Sequence, residues 1–168
     1  MNEIRISSSE SKPGRLVAAR ILPGTDLIPG LLEICRRNNL TSGCIVTILG
    51  SLARARFVLP IPDSSGSMGV RYSDPHEMEG PLEFLGGSGI IGRLDDGEAT
   101  IHLHGIFSDR ENKFCAGHIL EEGNHVLATM EVVIQELPDV EIIRSPDEET
   151  GFTLFHFKEI VDHREMSK

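Results

Sequence analysis

Residues 99–137 read ATIHLHGIFSDRENKFCAGHILEEGNHVLATMEVVIQEL, and this stretch decides the fold. In a strand, successive side chains point to opposite faces, so Thr100, His102 and His104 share one face while Ile101 and Leu103 share the other. The apolar pair marks the core side. The segment SDREN suits a hairpin loop, and loop length sets parity. An odd loop places His118 across from His104 or His102 on the same face, whereas an even loop sends it to the opposite face. Gly117 leaves room for a close approach or a bulge beside His118. Farther on, Gly123-Asn124 suits a two-residue hairpin turn. That turn predicts Thr129 opposite His118, Glu131 diagonally beside it, and Met130, Val132 and Ile134 on the core face with Ile119. The expected polar face therefore carries His102, His104, His118, Thr129 and Glu131.

Two histidines at i, i+2 stand about 6.5–7 Å apart along a strand, close enough for both imidazoles to converge on one ion. Three neutral imidazoles, with a carboxylate outside them, suit a divalent transition metal, zinc foremost, with one position open to water. The plainer alternative is a wet face or a subunit contact that happens to be decorated with histidine. The other histidines carry less. His76 falls in a loop, His125 follows a turn, His156 lies between Phe155 and Phe157 on an expected edge strand, and His163 belongs to a charged tail. Each reads as structural or solvated.

Working outward, residues 1–13 read as a flexible leader, 14–160 as one domain and 161–168 as a charged tail. Arg15 to Leu22 reads as a strand ended by Pro23-Gly24. Thr25 or Asp26 can cap a helix whose Leu27, Ile28, Leu31, Leu32 and Cys35 form one buried stripe. Pro29 is tolerated in a first turn, and Arg36-Arg37 suit a helix C-terminus. Strands are expected at 44–49 and 53–59, then at 81–91, 99–107, 113–120, 126–136 and 152–157. Residues 60–80 read as a long mobile connection, and 138–151 as an acidic, turn-rich one. One helix followed by many strands at hairpin spacing predicts an α+β fold with a largely antiparallel sheet.

The chain has 168 residues with 26 acidic against 16 basic side chains, a net charge of −10, so approach to phosphate gains little counterion-release energy. One tyrosine, Tyr72, and no tryptophan leave little for base stacking. Cys35, Cys44 and Cys115 show no CxxC spacing and suit a reducing compartment. The polar start has no secretory h-region, and no apolar run approaches the ~18 residues of a membrane span. A cytoplasmic protein with no membrane partner is the expectation.

The order of motifs, GTD at the first helix, TILGSL, GPLEFLGGSG, IHLHGIFSD and CAGHILEEGNHVLATMEVVI, resembles the PPC (plants and prokaryotes conserved) domain over roughly residues 14–137. The resemblance implies an antiparallel sheet flanked by helices in a single PPC-like domain of the stand-alone prokaryotic type. It implies a homotrimer, and it matches His102, His104 and His118 to histidines associated with metal. Plant members add an AT-hook with an Arg-Gly-Arg-Pro core, a string this chain lacks. Their Gly-Arg-Phe-Glu-Ile-Leu partner segment corresponds here to Gly80-Pro81-Leu82-Glu83-Phe84-Leu85, which loses the arginine and changes both large apolar positions. Ala116 stands where the family usually has glycine.

Three functions compete. The leading one is a homotrimeric module that binds a divalent metal or small ligand and serves a regulatory role, with a regulatory protein as possible partner. The alternative is DNA binding, direct or through partners, which the charge disfavours. Thr129, Glu131 and Glu83 are the residues expected around that metal or on its ligand, and a metal-dependent hydrolase or lyase comes third, with Glu131 or Glu83 as general base. No nucleophile elbow or phosphate-cradling loop supports it. The glycines of GGSG at 86–89 read as relief of strand crowding. Catalysis is therefore not the expectation.

Overall fold

The computed structural model describes residues 4–160. The alternation along the histidine stretch forms strand β6 (Ala99–Ser108) and, after a turn, β7 (Phe114–Ile119). Ile101, Leu103 and Phe107 are buried, while His104 and Ile106 face outward. The Asp109 carboxylate accepts the backbone N–H groups of Glu111 and Lys113, and Asn112 takes a positive φ of 59°. These bonds close a hairpin in which His104 lies directly opposite His118.

The organising strand is β2 (Gly43–Val58), one continuous element where two strands were expected. Its first part lies between β8 (Val126–Glu136) and β5 (His76–Leu94), and its last residues, Phe57 and Val58, pair with Ile119 and His118. Register shifts at Ile45/Thr47, Gly50/Leu52 and Leu52/Arg54 bend it between these partners. Because β5 also pairs with β6, strands β2, β7, β6 and β5 close a ring. Phe57, Phe84 and Phe107 are buried within this closure, Phe107 in T-shaped contact with Phe57. Strand β1 (Leu16–Ile21) extends the sheet beyond β8; β9 (Val140–Pro146) and β10 (Thr153–Glu159) extend it beyond β5.

The helix α1 (Leu27–Arg37) buries Leu27, Ile28, Leu31 and Cys35 of the expected stripe, with Leu32 half-buried against the same core. Pro29 sits in the first turn, where its missing N–H has no intrahelical partner to lose. Asp26 precedes the helix but makes no side-chain cap; its carboxylate instead accepts the N–H groups of Gly123 and Asn124. Arg36 and Arg37 both reach Glu33, whose carboxyl they hold at about 2.

Four expectations are corrected. The sheet is flanked by one helix among the described residues, not by several. The connection 60–80 contains a small hairpin, β3 (Pro60–Pro62) with β4 (Val70–Tyr72), and the start of β5. The acidic stretch 138–151 contains β9, which pairs with β5 in parallel. Finally, Gly123-Asn124 does not join β7 to β8 as neighbours, because β2 lies between them. Asp26 and the side chain of Asn124, which accepts from Arg56 N–H and donates to Leu120 O, hold that segment in a wider connection. Residues 4–15 form no regular element, yet Arg5 pairs with Glu149 and Lys12 N–H donates to Asp139. The charged tail 161–168, with His163, lies outside the described residues.

Candidate metal centre

His102 and His104 emerge two residues apart on the outer face of β6, and His118 faces His104 from β7. The Nε2 atoms of His102 and His104 are 2.9 Å apart. One ligand atom from each of the three imidazoles lies within 4.8 Å of the others. Ring centroids are separated by 4.8 Å (His102–His104), 4.7 Å (His102–His118) and 5.5 Å (His104–His118). No other group of three or more potential ligands converges in this way among the described residues.

The strands are pinned at this spacing by glycine. A Cβ on Gly87 would stand 2.7 Å from the His104 carbonyl oxygen, and one on Gly89 would stand 2.6 Å from that of His102. The GGSG run thus lets β5 lie tight against the histidine strand. It serves packing, as its sequence context indicates.

His102 and His118 are half-buried, and burial pushes both down to about 4. Neighbouring imidazoles and the Arg144 guanidinium add to the shift. Both rings are therefore neutral at pH 7, with lone pairs free to bind a Lewis acid. The Nδ1 of His118 is buried without a hydrogen-bond partner. An orphaned buried nitrogen is costly unless something satisfies it. Three imidazole nitrogens within 4.8 Å of one another are a donor set of the kind that zinc takes, at about 2.0–2.1 Å to each nitrogen. The donor set fits that group.

The other expected site residues lie elsewhere. Thr129 Oγ1 accepts from Arg20 Nε at 2.9 Å. Glu131, exposed, pairs across from Arg20 on β1 and Leu49 on β2. Glu83 lies opposite Ser51 and Ser108, at the far end of β6 from His102. None of the three joins the histidines. The reason is the insertion of β2 between β7 and β8, so that the residue opposite His118 on that side is Val58, not Thr129.

In their place the structure brings residues that sequence reasoning passed over. Phe155 stacks near His102 at 6.5 Å, Arg144 lies over the Phe155 ring at 5.8 Å, and Tyr72 packs on His118 at 5.3 Å. Two come from stretches read as connections, where the strand-like pattern of EIIRS and VRY was the available signal. Among the remaining histidines, His76 stacks on Phe57, His156 lies on the edge strand opposite Ile143, and His125 forms an isolated bridge with Asp26.

A family model described as the Plants and Prokaryotes Conserved (PCC) domain matches residues 8–138. The bifunctional protein GlmU of a Synechococcus strain is 29% identical over 146 residues, covering 87% of this chain and 21% of the relative. The chain thus spans about a fifth of the length of that relative. A metal-containing protein from Archaeoglobus fulgidus superimposes with a TM-score of 0.75 at 22% identity, covering 90% of this chain and 99% of its own. A protein from Bacteroides thetaiotaomicron, provisionally named as DNA-binding, gives a TM-score of 0.69 at 18% identity, with 89% and 99% covered. At these identities the likeness to the two structures is one of fold.

Proposed function

Because the chain belongs to the Plants and Prokaryotes Conserved domain family, we propose that it is a divalent-metal-binding module of that family, with zinc held by His102, His104 and His118. The observation that carries this reading is the convergence of three imidazoles, two of them neutral through burial, on one face of a glycine-pinned hairpin. The name of the Archaeoglobus protein supports it. Bound zinc would supply a Lewis acid with a position open to an oxygen ligand. The role we assign is regulatory and non-catalytic: the charges acting on His102 and His118 are those of the neighbouring imidazoles and Arg144, and Glu83, Thr129 and Glu131 stand apart.

The assembly we propose is a homotrimer in the cytoplasm. Exposed apolar side chains such as Val46, Leu49 and Phe114 offer surface for self-association, and the three free cysteines suit a reducing compartment. No helix among the described residues is long and apolar enough to cross a membrane.

Elemental analysis of protein purified without a histidine tag tests the metal reading. One zinc per chain is expected, lost in the His102→Ala/His104→Ala variant; less than a stoichiometric fraction after reconstitution overturns it. A DNA-binding role has the naming of the Bacteroides protein in its favour. Against it, Arg36, Arg37, Arg54, Arg56 and Arg15 are already paired with Glu33, Glu77 and Glu136. Titration with duplex DNA at two salt concentrations decides, since phosphate contacts weaken as salt rises.

A further inference from the structure

Beside the histidine trio lies a cleft of about 890 Å³, walled by Val58, Leu59, Val70, Tyr72, Phe152 and Leu154, with His104 and His118 on its floor. Its size falls within the range of about 300–1,000 Å³ typical of small-molecule sites. The walls are built rather than loose. Leu59 and Ser73 exchange two hydrogen bonds at the base of the β3–β4 hairpin, and Ser67 Oγ ties that hairpin to the Thr150 carbonyl ahead of β10. Tyr72 packs on both His118 and Phe152.

The lining has a charge pattern at odds with the rest of the molecule. The chain carries 26 acidic residues, yet none of those among the described residues lines this cleft. Arg71 is its only charged lining residue among those described; the guanidinium donates to Tyr72 O and lies 3.6 Å from an Asp63 carboxylate oxygen. An apolar, acid-free concavity that ends on metal-binding imidazoles is complementary to a molecule with an apolar body and an anionic, metal-ligating end.

We propose that this cleft binds an organic acid with an apolar body, its carboxylate directed to the metal held by His102, His104 and His118 and its body against Leu59, Tyr72, Phe152 and Leu154. The inference rests on the metal reading above and adds the ligand class.

Isothermal titration of tag-free protein with octanoate, octan-1-ol and acetate tests it, with zinc content measured on the same samples. Zinc-loaded protein is expected to bind octanoate at least about tenfold more tightly than acetate, because the alkyl tail leaves water, and about tenfold more tightly than octan-1-ol, which lacks the charge. Chelation should bring octanoate down to the affinity of the alcohol. Leu154 is 38% exposed, so Leu154→Asp is compatible with folding; it should cut octanoate affinity about tenfold while leaving zinc content unchanged. Stoichiometric zinc with octanoate no tighter than acetate overturns the ligand class and leaves the metal reading standing. Octanoate affinity that chelation leaves undiminished overturns the carboxylate's seat on the metal. Failure to take up zinc removes both readings.

Discussion

At Gly87 the lack of a side chain lets β5 pack against the histidine strand without crowding. A methyl group there would press on the His104 carbonyl oxygen at 2.7 Å and approach Ile48 at 3.1 Å, and neither backbone nor core can retreat freely. Gly87→Ala is expected to destabilise the protein by about 1–3 kcal/mol, the usual penalty for overpacking, and to lower zinc affinity with it. Urea unfolding of metal-free protein measures the first effect and metal titration the second. His102, His104 and His118 were legible as one face from alternation and an odd loop, because strand parity is a local rule. Thr129, Glu131 and Glu83 were not excluded from that face by any local rule. Their distance from it follows from which strand is whose neighbour.

Element by element, α1 shows how far periodicity carries. Leu31 is fully buried, and Leu31→Ala should cost about 2–5 kcal/mol in chemical unfolding, through lost burial and the cavity left behind. Cys35, on the same stripe, has its thiol pushed up to about 11 by burial. A group whose folded value is raised contributes stability that is present below its unfolded value and lost as pH rises through the folded one. Stability should therefore fall between about pH 9 and pH 11, and Cys35→Ala should flatten that limb of the curve. Asp26 contributes differently. It reads as a helix cap, but its carboxylate accepts two N–H groups from the Gly123-Asn124 segment. Asp26→Ala leaves those donors unpaired and is expected to cost about 1–3 kcal/mol, read in the same unfolding assay. The helix stripe was legible; the partner of Asp26, 97 residues away, was not.

For the whole molecule, metal and fold should be linked. A ligand that binds the native chain alone stabilises it by about 2.7 kcal/mol at a hundred times its dissociation constant. Added zinc should then raise the unfolding temperature by several degrees in wild-type protein and leave His102→Ala/His104→Ala unmoved; an equal rise in both would place the ion elsewhere. The sequence by itself determined the helix, the strand-rich character, the histidine face and the family, because side-chain alternation, helical periodicity and motif order are properties of neighbouring residues. It also determined the acidity that leaves few cations for phosphate. Only the tertiary structure decided that β2 runs between β7 and β8, that connections read as loops supply Tyr72, Arg144 and part of the wall of a cleft, and that no acidic side chain among the described residues lines that cleft. Strand order and cavity lining depend on contacts between residues far apart in the chain, which no local pattern encodes.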